Sequence, residues 1–438
     1  MKKFIPLLYC ILLAMPHLWA QSTDEKCGYK LQHDNALARN PNFDKEVAAY
    51  KASLAKNAGI ALKTSVAHTV YVPVVFHVVL NSTQITDLGG ASGIIEHANS
   101  QIQVLNEDYN RGNADSTKIP SAFKPLYASV NIKFALAGID PNGHPTNGIE
   151  LVMTSQSSYD ITSAHPALNA KLTDSGGASS WDYTRYVNVW VIAPSPSGTI
   201  GLTCPPSYCI GSSPTFYLSE MGVIISYHTF GRKLHPGDFF LTDQALGRTL
   251  THEMGHYFEL LHPWDSSETI QDTPPQCSYI YGCPSFPHTD ACSPVYPGIQ
   301  YMNFLEYTND SCMQMFSHDQ DSVMYATVSP GGESYNLTLH PELLSVPGNA
   351  VTTSSAYPNF SIYPNPAKDI IEIAFDSAPT DLQNILVLNM MGQVVKQIHT
   401  FPQSKSVISI DLSGISKGIY FVQCQFATSK DTRKIVLQ

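Results

Sequence analysis

Between Thr251 and His262 the chain reads THEMGHYFELLH, with histidines at positions 252, 256 and 262 and a glutamate at 253. Residues four apart on a helix lie one above the other on the same face, so His252 and His256 can grip one metal ion from one side. Glu253 adjoins the first of them, close enough to handle a metal-bound water. Zinc in catalytic sites takes three protein ligands and a water, and the bound water becomes far more acidic. His252, His256 and His262 are therefore candidate metal ligands and Glu253 a candidate general base. The chemistry they suit is hydrolysis.

Helix geometry raises a difficulty with His262. At about 100° per residue it lies roughly 240° around a straight helix from His256 and faces away. It reaches the metal only if the helix stops and the chain turns near residue 259. Glycine usually makes such a turn, because it accepts a positive φ without steric cost. Glu259 stands there instead, at a cost of about 1–2 kcal/mol for a left-handed backbone. On a helix that continued, Glu259 would return to the metal face as third ligand or as a supporting acceptor. The turned form, with His262 as ligand, is the expected one.

The elements that must hold this stretch are legible upstream. Tyr71 to Leu80 is a near-continuous apolar run, the pattern of a buried central strand, with His77 expected as a packed core residue. From Gly93 to Arg111, Ile94, Ala98, Ile102, Leu105 and Tyr109 recur at helical spacing, which predicts an amphipathic helix; Glu107 and Asp108 are expected on its solvated face. Strands are expected over 130–136, 186–192 and 222–227, and the Ser/Pro/Gly-rich 195–214 as a surface loop. The metal-binding helix is expected to begin near Thr242-Asp243, an N-cap pair, with Leu246, Leu250, Tyr257 and Leu261 toward the core. Together they make one α+β domain of about 260 residues.

Composition limits the alternatives. The 438 residues exceed one usual domain, and 43% are hydrophobic, enough for real cores. A net charge of −11 without any basic run argues against nucleic acid as partner. Lys2 and Lys3, the apolar run from Phe4 to Met15 and the small residue Ala20 read as a secretory signal peptide over 1–20, and no later run is long enough to be a transmembrane segment of the mature form. Export permits disulfides. Cys204 with Cys209 is the local pair expected, while Cys277, Cys283, Cys292 and Cys312 allow three connectivities. Their spacing lacks the paired C-x-x-C form of a second zinc site.

Residues 21–65 are polar and read as a pro-segment, 66–328 as the catalytic domain and 329–358 as a Ser/Gly/Pro/Thr-rich linker. From 359 to 438 short alternating strands separated by turn residues predict a small all-β sandwich. A carbohydrate-binding module is the other reading of such a sandwich, but exposed aromatics are few.

Several blocks in order resemble the pappalysin (cytophagalysin) family of metzincin metallopeptidases: VPVVFHVV (72–79), QIQVLNEDYNR (101–111), VNVWVIAP (187–194), GVIISYHTFG (222–231), the zinc motif itself, Asp272-Thr273-Pro274, and NFLEYTNDSCMQMFSHDQ (303–320). The resemblance implies a metzincin-like catalytic domain, a mixed twisted sheet with long helices, that hydrolyses peptide bonds of protein substrates. It implies catalytic zinc on His252, His256 and His262 and Glu253 as general base and acid. Tyr307 occupies the position of a tyrosine that supports the oxyanion, two residues after a turn methionine that is here Leu305. Ser311 stands where members that cleave at basic residues carry an acid, so no preference for Arg or Lys is implied. Structural calcium after the third histidine is also implied, with Asp272 the best candidate. Cys27-Gly28 resembles a cysteine-switch pro-segment whose thiolate holds the enzyme latent; otherwise Cys27 is an unpaired cysteine in a flexible arm.

The C-terminal unit is similar to the sorting domain of the type IX (Por) secretion system, carried by FSIYPNPAKDIIEI (360–373), NMMGQVV (389–395), IDLSGISKGIYFVQ (410–423) and Lys434-Ile435-Val436. That implies type IX secretion machinery as a partner and a secreted or outer-membrane-surface protein of a Gram-negative bacterium. The rival to a protease is a non-catalytic secreted or surface-attached binding protein that keeps the metzincin fold. The intact Glu253 argues against it, since a binding protein needs no general base.

Overall fold

The computed structural model describes residues 25–50, 52–53, 69–161, 168–195, 198–209, 221–238, 240–265, 270–344 and, from 360 on, all but 376–378, 380–381, 390–392, 400–406 and 427–429. The expected signal peptide, part of the expected pro-segment and residues 345–359 lie outside them. The chain divides into two compact units, 1–344 and 345–438.

The first unit opens with helix α1 (Tyr29–Arg39) and is built on strand β1 (Val70–Leu80). Nine of β1's eleven residues are buried in an unbroken run, as its continuous apolar sequence requires. Its first half pairs with β2 (Ile132–Leu136) and its second half with β3 (Ile149–Met153), both in parallel. On its other side follow β4 (Val187–Ile192), β5 (Gly201–Cys204) and β6 (Gly222–Ser226), in the spatial order β1-β4-β6-β5. Every pairing is parallel except that of β5 with β6. Strand β5 thus runs against its neighbour and forms the sheet's edge. His77 is fully buried, as expected, held between Glu150 (2.7 Å) and Asn188 (2.8 Å).

Helix α2 (Gly90–Tyr109) turns Ile94, Ala98, Leu105 and Tyr109 into the core. Its last acids are not both solvated. Asp108 is 2% exposed and lies against Arg248 of helix α3 (Arg248–Tyr257), while Glu107 pairs with Arg232. The expectation of a solvated Asp108 fails, because the cation that allows its burial comes from a residue 140 positions away.

Two further differences concern boundaries. Thr242–Gln244 form only a 3-10 turn, Leu246 is exposed, and the metal helix starts at Arg248 after Gly247 at φ 81°. Residues 195–214 contain a buried strand, β5, which the surrounding Ser, Pro and Gly concealed. Residues 329–344, linker-like in composition, pack on the first unit through buried Leu337 and Leu343. The bridges Cys277–Cys292 and Cys283–Cys312 select one of the three connectivities. The expected Cys204–Cys209 pair lies outside the described residues, because it involves the side chain of Cys209.

The second unit is two antiparallel sheets. One orders β7 (Phe360–Tyr363), β8 (Ile370–Phe375) and β11 (Val407–Asp411) as β11-β8-β7. The other orders β9 (Leu382–Leu388), β10 (Val394–Ile398), β12 (Gly418–Phe426) and β13 (Lys430–Leu437) as β10-β9-β12-β13. Ile371, Ile373, Ile385, Val387, Val422 and Ile435 from both sheets share one core.

Candidate metal centre

Helix α3 is anchored at its start by an anion. Asp310 Oδ2 accepts the N–H groups of Leu246 (2.8 Å) and Arg248 (3.3 Å), which otherwise lack intrahelical acceptors. The helix ends at Tyr257. Glu259 N donates to His256 O (2.9 Å) and Leu260 N to Gly255 O (3.0 Å), the paired bonds of a Schellman cap. Glu259 has φ 72°, so the turn glycine usually makes is made here by a glutamate. Its carboxylate points to Ser207, accepting from the hydroxyl (2.8 Å) and the backbone N–H (3.3 Å). Substituting glycine would relieve the left-handed strain, about 1–2 kcal/mol, and remove bonds of similar worth. Glu259→Gly is therefore expected to move the unfolding free energy by less than about 1.5 kcal/mol in denaturant titrations.

The turn brings three imidazoles together. His256 Nε2 lies 3.2 Å from His252 Nε2 and 3.0 Å from His262 Nε2. Nitrogens bound tetrahedrally to zinc at the usual distance stand roughly 3.3 Å apart. The outer nitrogens all face acceptors: His252 Nδ1 the carbonyl of Phe304 (2.8 Å), His256 Nδ1 that of Leu260 (2.8 Å), and His262 Nδ1 the Asp265 carboxylate (3.2 Å). With each Nδ1 placed to donate outward, the three Nε2 atoms converge on one point. That arrangement fits a cation. Burial, with His262 adding to it, lowers the His252 pKa to about 3, so its ring is neutral.

Glu253 is buried beside them. Burial raises its pKa to about 7, against a hydrogen bond from Thr203 Oγ1 (2.6 Å). A Cβ on Gly201 would fall 2.2 Å from Glu253 Oε1, so the edge strand needs glycine where the carboxylate approaches. Leu305 is fully buried, and a Cβ on Gly255 would meet its Cδ2 at 2.9 Å. Leu305→Met, close to volume-conserving, is expected to cost under about 1.5 kcal/mol in a thermal melt.

The stretch around Cys27, expected to belong to a pro-segment, occupies the cleft. Ile200 N donates to Lys26 O (2.8 Å) and Gly28 N to Gly201 O (2.8 Å), adding an extended stretch to the β5 edge. Cys27 is 3% exposed, and its sulfur belongs with the three imidazoles to one group whose ligand atoms lie within 4.8 Å of one another. Burial and the adjacent Glu253 push its thiol pKa up, so it becomes a thiolate only beside a cation. Tyr307, 2% exposed, donates its hydroxyl to Cys27 O (3.3 Å), and Lys26 Nζ donates to Tyr307 O (3.0 Å). Asp272 holds Ser317 Oγ (2.6 Å) and Asp319 N (3.0 Å) at the start of helix α4 (His318–Thr327).

Sequence reasoning brought forward the histidines, Glu253, Tyr307 and Cys27, and all lie around one cleft. It missed Thr203, Gly201 and Asp265. Only Asp265 left a local trace, an acid three residues after His262; Thr203 and Gly201 reach the site through sheet pairing.

Residues 361–438 match the family described as "Secretion system C-terminal sorting domain". An extracellular metalloprotease of Colletotrichum graminicola is 30% identical over 293 residues, 65% of this chain and 84% of its own length. One of Neurospora crassa is 28% identical over 286 residues, covering 64% and 81%. The chain is thus a metalloprotease, secreted or at the cell surface, with a secretion-system sorting domain at its C-terminus. A promirolysin mutant of Tannerella forsythia superposes with a TM-score of 0.63 at 31% identity, covering 74% of this chain and 100% of that one. Mirolysin in complex with a small compound gives 0.57 at 35% identity, covering 64% and 99%. The chain belongs to the pappalysin-like metalloprotease family that includes mirolysin. Among the described residues, no helix is long and apolar enough to cross a membrane.

Proposed function

We propose that the protein is a zinc-dependent endopeptidase made as a latent precursor, with His252, His256 and His262 holding zinc and Glu253 as general base and acid. The observation that carries this is the convergence of three Nε2 atoms, with the Nδ1 of each ring facing an acceptor. Zinc held there supplies Lewis acidity that makes a water nucleophilic near neutral pH. Glu253, walled by Thr203 and the bare Gly201, takes the proton from that water and passes it to the leaving amine. Tyr307, freed from the Cys27 carbonyl, donates its hydroxyl to the oxygen on which negative charge develops. The β5 edge that now pairs with the pro-segment receives the substrate backbone. A mirolysin structure holds a cleaved peptide, in keeping with this use of the cleft.

In the precursor Cys27 closes the site as a thiolate ligand. The proposed division is a signal peptide over 1–20, pro-segment 21–65, catalytic domain from 66, and sorting domain 359–438, recognised by the type IX machinery. The test is chelation: removing zinc from the activated enzyme should abolish casein hydrolysis, and one equivalent of zinc should restore it. Activity that survives complete zinc removal would end the proposal.

The general base also sets a pH dependence. Glu253 must be ionised to accept a proton, and burial holds its pKa near 7 in the metal-free protein. Zinc draws that value down, so kcat/KM should fall on the acid side with a midpoint below pH 7. A pH–rate profile at constant zinc content checks it; a flat profile from 5 to 8 would contradict the role.

A further inference from the structure

The pro-segment holds the cleft with rings as well as with a thiol. Tyr29, 3% exposed, stacks on His256 with ring centroids 4.2 Å apart and planes 8° from parallel. Its ring stands perpendicular to that of His262 with centroids 6.0 Å apart, and it also meets Tyr208 at 5.7 Å. Phe43 stands edge-on to Tyr208 at 4.6 Å and 88°. These are the offset and T-shaped geometries that aromatic quadrupoles favour.

Tyr208 owes its place to the residue that departs from the turn's usual glycine. It follows Ser207, whose hydroxyl and N–H the Glu259 carboxylate holds. The same backbone turn that delivers His262 therefore also fastens the segment that presents the Tyr208 ring. Tyr29, in ring contact with both Tyr208 and His256, directly follows Gly28, which is paired to the β5 edge. Once the pro-segment leaves, the rings of Tyr208 and His256 lose Tyr29 as a neighbour.

We propose that the rings of Tyr208 and His256 form an aromatic-recognition subsite, filled by Tyr29 in the precursor and by a Phe, Tyr or Trp side chain of a bound peptide in the activated enzyme. This rests on the protease reading but concerns the binding of peptide, which can be measured without hydrolysis.

The full-length chain carrying Glu253→Gln is loaded with zinc, its pro-segment is released with added trypsin, and the trypsin is removed. Dissociation constants are then measured for peptides in which Phe replaces Ala at one position at a time. Binding at least fivefold tighter at one position, with that ratio kept in Tyr208→Phe and lost in Tyr208→Ala, supports the subsite. Tyr208→Leu fills the volume without a ring and replaces the alanine variant if the latter loses zinc. A preference below fivefold at every position, or one that survives loss of the ring, overturns it. In the unprocessed Glu253→Gln chain, Tyr29→Ala should speed amide exchange over residues 26–36 at least tenfold; unchanged exchange also counts against the subsite. Failure of the protease reading shows separately, as absence of casein hydrolysis by the activated wild-type enzyme.

Discussion

Glu253→Gln is expected to lower kcat for peptide hydrolysis by about 10²–10⁴-fold while leaving close to one zinc per chain. Zinc is retained because the converging nitrogens belong to His252, His256 and His262, and each is oriented by a partner other than Glu253. Glutamine keeps the volume beside Gly201 and an oxygen for Thr203 Oγ1, so the pocket is expected to stay intact. What it lacks is the capacity to carry a proton from the water to the leaving amine. Casein hydrolysis and metal analysis on the same sample separate the two effects. Activity within tenfold of wild type, with zinc present, would move the general base elsewhere.

Arg248→Ala should cost the first unit roughly 3–5 kcal/mol of unfolding free energy at pH 7. Arg248 is 4% exposed and binds Asp108 (3.2 Å), Asp115 (2.5 Å) and the carbonyl of Asp310 (2.7 Å). Burial pushes the Asp108 carboxyl up and raises Asp310 to about 6, and Arg248 opposes both shifts. Without the guanidinium, two buried carboxylates lose their compensating charge. Groups with raised folded-state pKa values favour the fold when protonated and oppose it as pH rises through those values. The deficit is therefore expected to be largest above about pH 6 and to shrink below it. Trp181, Trp190 and Trp264 all lie in the first unit, so tryptophan fluorescence in urea reports this unfolding. A pH-independent deficit would mean that lost packing against Phe304, rather than stranded charge, is responsible.

Arg248 also shows where local patterns stop being informative. Asp108 falls on the buried side of α2, yet a carboxylate there reads as solvated until its partner is known. The partner, the second acid and the carbonyl that complete the cluster are separated by more than sixty residues each from Arg248. Strand β5 is a similar case. Its four residues are too short for alternation to register, and they become a strand because β6 and the pro-segment offer hydrogen bonds on either side.

Short-range chemistry was legible because it depends on spacing alone. The His252–His256 pair follows from helical geometry, the central strand from an unbroken apolar run, and the second unit's sandwich from alternating segments broken by turns. Even the turn before His262 followed from the angle a straight helix would impose, with Glu259 the residue that had to carry it. The turned backbone at Glu259 was the expected one, but the sequence did not say where that turn would send the carboxylate. Tertiary structure decided it: Ser207 stands beside the turn, and Phe304, Leu260 and Asp265 hold the three outer nitrogens that aim the imidazoles at one point. Tertiary structure also placed Cys27 and Tyr29 over that point. Contacts between residues more than 200 positions apart are set by the path of the folded chain, which no local pattern encodes.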